Sequence, residues 1–117
     1  MRSLMAILLL ILLRSTANAE QAVVASSMRT SDVIESCRRA GSTPMRMDCA
    51  GYILGIYDQL SLSRLICPPN NPAGGSSQAV AVALKFLNDH PERWHIGPAF
   101  LVGESFRAAF PCPKSSD

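Results

Sequence analysis

Four cysteines, Cys37, Cys49, Cys67 and Cys112, restrict this chain more than any other feature, because of what precedes them. The opening segment MRSLMAILLLILLRSTANA has Arg2 in a short basic start, an apolar run from Leu4 to Leu13, and a small-x-small ending at Ala17-Asn18-Ala19. That layout predicts a secretory signal peptide over residues 1–19, cleaved after Ala19. The apolar run is ten residues long. Crossing a bilayer takes about 20, and Arg14 closes the run, so a retained anchor is disfavoured. All four cysteines therefore belong to an exported chain, where an even count reads as two disulfides. A zinc site would need close pairs such as CxxC, which spacings of 12, 18 and 45 do not supply.

Removing residues 1–19 leaves 98, enough for one domain with a modest core. Arg2 and Arg14 leave with the signal, so eleven Lys/Arg become nine, matching nine Asp/Glu. A balanced chain has no electrostatic footprint for nucleic acid or anionic lipid, and neither is expected as a partner.

Residues 20–30 show no clear period and read as a loose leader. Four helix-like segments follow. The first, TSDVIESCRRAG, has Thr30 or Ser31 as its cap, Asp32 and Glu35 early, Arg38 and Arg39 late, and Gly41 as its stop, all in keeping with the helix dipole. The second opens with Thr43 as cap and Pro44 in the first helical position, then places Ile53, Ile56, Tyr57 and Leu60 at the spacing of a buried stripe. Gly51 and Gly55 each cost about 1 kcal/mol within a helix, which suggests a tight contact with a neighbouring helix. CPPNNPAGGSS, from Cys67 to Ser77, breaks the pattern with prolines, glycines and asparagines. The third helix, ending before Pro91, groups Val80, Ala83, Leu84 and Leu87. The fourth, from Pro98 to Phe110, groups Val102, Phe106, Ala109 and Phe110. No segment alternates with period two. The expectation is an all-α domain over residues 31–113, a small disulfide-stapled antiparallel bundle of about four helices.

An up-and-down path puts Cys37 and Cys49 at one pole and Cys67 and Cys112 at the other. Any other pairing would have to cross helix two, more than about 20 Å at roughly 1.5 Å per residue. The expected bonds are Cys37–Cys49 and Cys67–Cys112.

Candidates for catalysis are few. With its cysteines oxidised the chain offers no thiolate, and no G-x-S-x-G occurs. Asp58 and Glu104 read as solvated positions. His90 and His95, five apart with Pro91 between them, cannot share a helical face as the pair in HExxH does, and no third ligand is indicated. His90 instead fits the C-terminus of helix three, where positive charge is favourable. No metal or cofactor is expected. Trp94, the single tryptophan, stands beside Arg93, and both residue types are enriched in binding hot spots. Trp94 reads equally well as a residue sealing one end of the core.

The ordered set DCAGYILGIYDQL, ICPP, ALKFLNDHPERWH and FLVGESFRAAFPCP, covering about residues 33–113, resembles the Rap/Tai family of type VI secretion amidase immunity proteins. The resemblance implies binding without catalysis: a periplasmic inhibitor that occupies the active-site cleft of a secreted peptidoglycan amidase, with homodimers known in the family. It also implies structural roles for the four cysteines and packing roles for Gly51, Tyr52 and Gly55. On physical grounds the candidate contacts are Asn70 and Asn71 in one connection and Glu92, Arg93, Trp94 and His95 in the other, because filling a cleft needs a polar protrusion on a rigid base. The alternative is a general periplasmic helical binding or acid-stress chaperone-like protein, with His90 and His95 titrating in mild acid.

Overall fold

In a computed structural model, residues 26–39, 47–70 and 74–114 are described. The expected signal peptide over residues 1–19, residues 20–25 of the expected leader, the Gly41 stop, the Thr43–Pro44 start and Asn71 lie outside them. Four α-helices form, α1 (Thr30–Arg39), α2 (Met47–Leu62), α3 (Gly75–Asp89) and α4 (Pro98–Ala109), with a 3-10 turn at Pro91–Arg93 and no strand among the described residues. The fold is all-α, as the periodicity predicts.

Each helix turns one apolar stripe inward. Val33, Ile34 and Cys37 on α1, Ile53 and Leu60 on α2, Val80, Ala83 and Leu87 on α3, and Leu101, Val102 and Phe106 on α4 form one buried cluster. Four expected core positions behave otherwise, Leu84 among them, being half-buried. Ala109 is exposed, because α4 ends there and Phe110 takes the inward place; Ile56 and Tyr57 are half-buried.

The poles are fastened differently. Where α2 and α4 end, Cys67 is joined to Cys112 with Cα atoms 4.7 Å apart, and the Cys67 amide donates to the Phe110 carbonyl at 2.9 Å. Beneath this staple Tyr57 meets Phe106 and Phe110 edge-on, at centroid distances of 5.3 and 5.9 Å, a geometry favoured by the ring quadrupoles. The chain reaches the staple by a sharp stop after α2. Arg64 takes φ 55°, its amide bonds the Ser61 carbonyl at 3.0 Å, and the Leu65 amide reaches back to Leu60 at 2.9 Å. That is a Schellman ending with arginine in the position glycine usually fills.

Where α2 and α4 begin, α1 is tied at both ends. Cys37 is bonded to Cys49 in the first turn of α2, and the Thr30 hydroxyl donates to the Ile96 carbonyl just before α4, at 2.8 Å. This corrects the assignment of Thr30 or Ser31 as a cap. Thr30 is wholly buried and its hydroxyl is committed 66 residues away. The capping role falls to Asp32, whose carboxylate accepts from the Arg29 amide at 3.1 Å and from the Arg29 guanidinium. The Arg29 hydrogen bonds hold the Asp32 carboxyl below its usual range.

Loop closure gives the staples unequal weight. Across separations of 12 and 45 residues, chain-entropy reasoning assigns about 3 and about 4 kcal/mol. Replacing Cys67 and Cys112 together by alanine is expected to lower the urea midpoint more than replacing Cys37 and Cys49. Equal midpoints for the two double variants would show that loop length does not govern their contribution.

Candidate functional site

Between α3 and α4 the chain makes a compact turn with few soft parts. At the end of α3 the His90 ring donates through Nδ1 to the Phe86 carbonyl at 2.8 Å and lies against the Phe86 ring, centroids 4.4 Å apart. Because a carbonyl only accepts, Nδ1 carries the proton. Pro91 then stops the helix, and backbone bonds from Arg93 to His90, Trp94 to Pro91 and Ile96 to Arg93 close the turn at 3.0, 3.3 and 2.9 Å.

Arg93 and Trp94 point back into the protein. The guanidinium of Arg93 grips both carboxylate oxygens of Glu104 at 2.9 and 2.7 Å and sits 5.9 Å from the centre of the Phe86 ring. The hydrogen bond from Arg93 holds the Glu104 carboxyl below its ordinary value, and Glu104 keeps the Arg93 guanidinium charged. Glu104 is thus half of a bidentate pair that bridges the turn to α4, not the partnerless solvated residue its sequence position suggests. Trp94 is half-buried against the core and its indole Nε1 donates to the Leu87 carbonyl at 2.8 Å, a carbonyl at the end of α3 that also accepts the His90 amide at 3.4 Å. The sealing role is therefore the one its contacts describe.

Glu92 and His95 are exposed on the turn's crest, with His95 Nδ1 donating to the Glu92 carbonyl at 3.2 Å. Asn70 is also exposed, but it follows Cys67 by three residues and so lies at the opposite pole, roughly the length of α4 away, about 18 Å. Asn70 therefore does not share a surface with Glu92 and His95. Among the described residues no three of His, Cys, Asp or Glu stand together as a metal site would require.

Beside the turn runs a feature the sequence did not announce. The faces of α2 and α4 leave an open groove of about 660 Å³, lined from α2 by Tyr52, Gly55 and Ile56 and from α4 by Phe100, Gly103 and Arg107. The helices do meet at Gly103, where a Cβ would stand 3.9 Å from Leu60 and 3.4 Å from the folded-back Arg107 guanidinium. Gly55, expected to mark a tight helix contact, instead faces open space, with nothing within 4 Å of a Cβ built on it. Among the described residues its cost of about 1 kcal/mol is not recovered by packing. Burial raises the Tyr52 phenol above its ordinary value, against a hydrogen bond with Ser26 that lowers it. The signal that could have revealed the groove is the four-residue spacing of Gly51–Gly55 and Ala99–Gly103, one pair on each facing helix.

Fold and site together define a small disulfide-stapled helical domain with a braced turn, an adjoining α2–α4 groove and a smaller pocket between α3 and α4 lined by Phe86, His90 and Ala109. A family model described as Rap1a immunity proteins matches residues 29–112. The chain belongs to that immunity protein family. No curated protein and no solved structure matches it.

Two outcomes follow from the bracing. Thr30→Val leaves the part-buried Ile96 carbonyl without the Thr30 hydroxyl and is expected to cost about 1 kcal/mol in denaturant unfolding; an unchanged midpoint would show that the bond holds nothing. The Glu104 carboxyl is lowered in the fold, so its contribution is full above the unfolded carboxylate value and is lost as pH falls through the folded one. Glu104→Gln should accordingly flatten the acid limb of the stability–pH curve, and an acid limb identical to wild type would contradict the pairing.

Proposed function

We propose that this protein is an exported, non-catalytic immunity protein that binds a secreted peptidoglycan amidase and inhibits it by placing the α3–α4 turn in the enzyme's active-site cleft. The observation that carries this is the division of labour within the turn. Arg93 and Trp94 are spent on Glu104 and Leu87 behind it, so Glu92 and His95 are presented on a crest whose shape exists before any partner arrives. A preformed protrusion loses little conformational freedom on binding, which is how rigid inhibitors turn modest contact areas into tight complexes. Family membership supports the partner class.

Residues 1–19 act as a cleaved signal peptide on this proposal, residues 20–30 as leader and residues 31–113 as the binding domain. The site of action is the periplasm, the compartment in which such an enzyme meets its wall substrate and in which Cys37–Cys49 and Cys67–Cys112 persist. No helix among the described residues is long and apolar enough to cross a membrane. A homodimer would let one cleft be approached by two protomers. Asn70 and Asn71 would then contribute from a second surface, since Asn70 is remote from the turn within one protomer.

The test uses the amidase encoded beside this chain. Isothermal titration is expected to give a dissociation constant on the order of nanomolar, with hydrolysis of peptidoglycan abolished at equimolar inhibitor. Glu92→Lys together with His95→Ala should weaken the complex roughly a hundredfold, or about 2.7 kcal/mol, without lowering the melting temperature. An amidase that neither binds nor loses activity would remove the proposal.

A further inference from the structure

The α2–α4 groove is the one large surface feature that the fold's own packing leaves unexplained. Gly55 sits mid-helix at its floor with open space above it, between the Tyr52 ring on one side and Phe100, still 51% exposed, on the other. A glycine in an exposed helix costs stability unless something must come close to the backbone. Among the described residues none comes within 4 Å of a Cβ built there.

The groove's polar character is as informative. Of the residues lining it, Arg107 alone carries a formal charge. Arg107 is exposed, and its guanidinium lies back over Gly103, 3.4 Å from where a Cβ would stand. Glu104, the acid nearest along the helix, has both carboxylate oxygens held by Arg93. Among the described residues Arg107 makes no ion pair. Gln59 turns its amide along its own helix to Ser63 at 3.1 Å and does not compete for the cation. The groove therefore offers an apolar trough with a single available guanidinium at its side, which suits a carboxylate beside an aliphatic side chain and disfavours a basic segment.

We propose that this groove receives a short apolar segment bearing a carboxylate, the carboxylate pairing with Arg107 and a neighbouring aliphatic side chain lying over Gly55 between Tyr52 and Phe100. Resting on the function proposed above, the donor is the secreted amidase, which is held at the turn and at this second surface together. Ala99 and Phe100 follow the turn after only Gly97 and Pro98, so the two surfaces adjoin and one partner spans both.

Gly55→Leu fills the trough from a position with no neighbour to clash with, and Arg107→Glu reverses the charge. Each is expected to weaken amidase binding roughly tenfold, the scale of one charge-assisted contact, with the melting temperature of Gly55→Leu equal to or above wild type. The second arm needs no amidase: acetyl-Leu-Val-Glu-amide at millimolar concentration should shift the backbone amide resonances of Gly51, Gly55 and Gly103. Its Leu-Val-Gln counterpart, or the Arg107→Glu protein, should show no such shift. Groove variants that keep wild-type affinity for a bound amidase overturn this inference while leaving the turn as the inhibitory element. Where no amidase binds at all, the proposed function falls, and a Glu peptide that leaves the groove amides unmoved overturns the groove as well.

Discussion

The Cys67–Cys112 bond joins the ends of α2 and α4, and the other packing in the domain is arranged around that junction. Helices of 10 to 16 residues share one modest core here, and the staples add to what its packing supplies. Closing a 45-residue loop removes much of the unfolded chain's freedom, and the aromatic trio of Tyr57, Phe106 and Phe110 converts the closed pole into a packed one. With that pole fixed, α2 and α4 cannot splay there. At the other pole Cys37–Cys49 and the Thr30–Ile96 bond bring α1 against the starts of the same two helices. The α3–α4 turn ends at Ile96, so the chain segment that leaves the turn is anchored on its inner side.

Both surface features depend on this framework. The turn is stiff because its two large side chains face inward: one is ion-paired and laid over Phe86, the other hydrogen-bonded to the last turn of α3. The groove stays open because α2 and α4 touch at Leu60 and Gly103 while Gly55 fills no space between them. Rigidity in the first and vacancy in the second suit a protein whose work is to fit another molecule. Neither requires a reactive group.

Much of the architecture was legible in residue order. Caps, prolines and apolar spacing located four helices, and the poles implied by short connections selected one disulfide pairing of three. What could not be read were the partners of side chains distant in the chain. Nothing local tells that the Thr30 hydroxyl belongs to Ile96, 66 residues on, and so it passed for a cap. The Arg93–Glu104 pair spans 11 residues and a change of helix, so no helical spacing marks it. Gly55 shows the limit most plainly: a small residue in a helix signals that something approaches, but not whether it comes from the same chain. Of the expected contact residues, Glu92 and His95 keep the exposure a contact requires, whereas Arg93 and Trp94 support the turn from behind.

The central claim is that a turn shaped in advance by the stapled bundle is the part that enters the enzyme. Hydrogen exchange on the free protein and on its complex with the effector it is proposed to bind tests it most directly. The account requires the amides of Arg93, Trp94 and Ile96 to exchange slowly already in the free protein and to slow further in the complex. Rapid exchange there before binding, or protection in the complex confined to the opposite pole around Asn70, would contradict it.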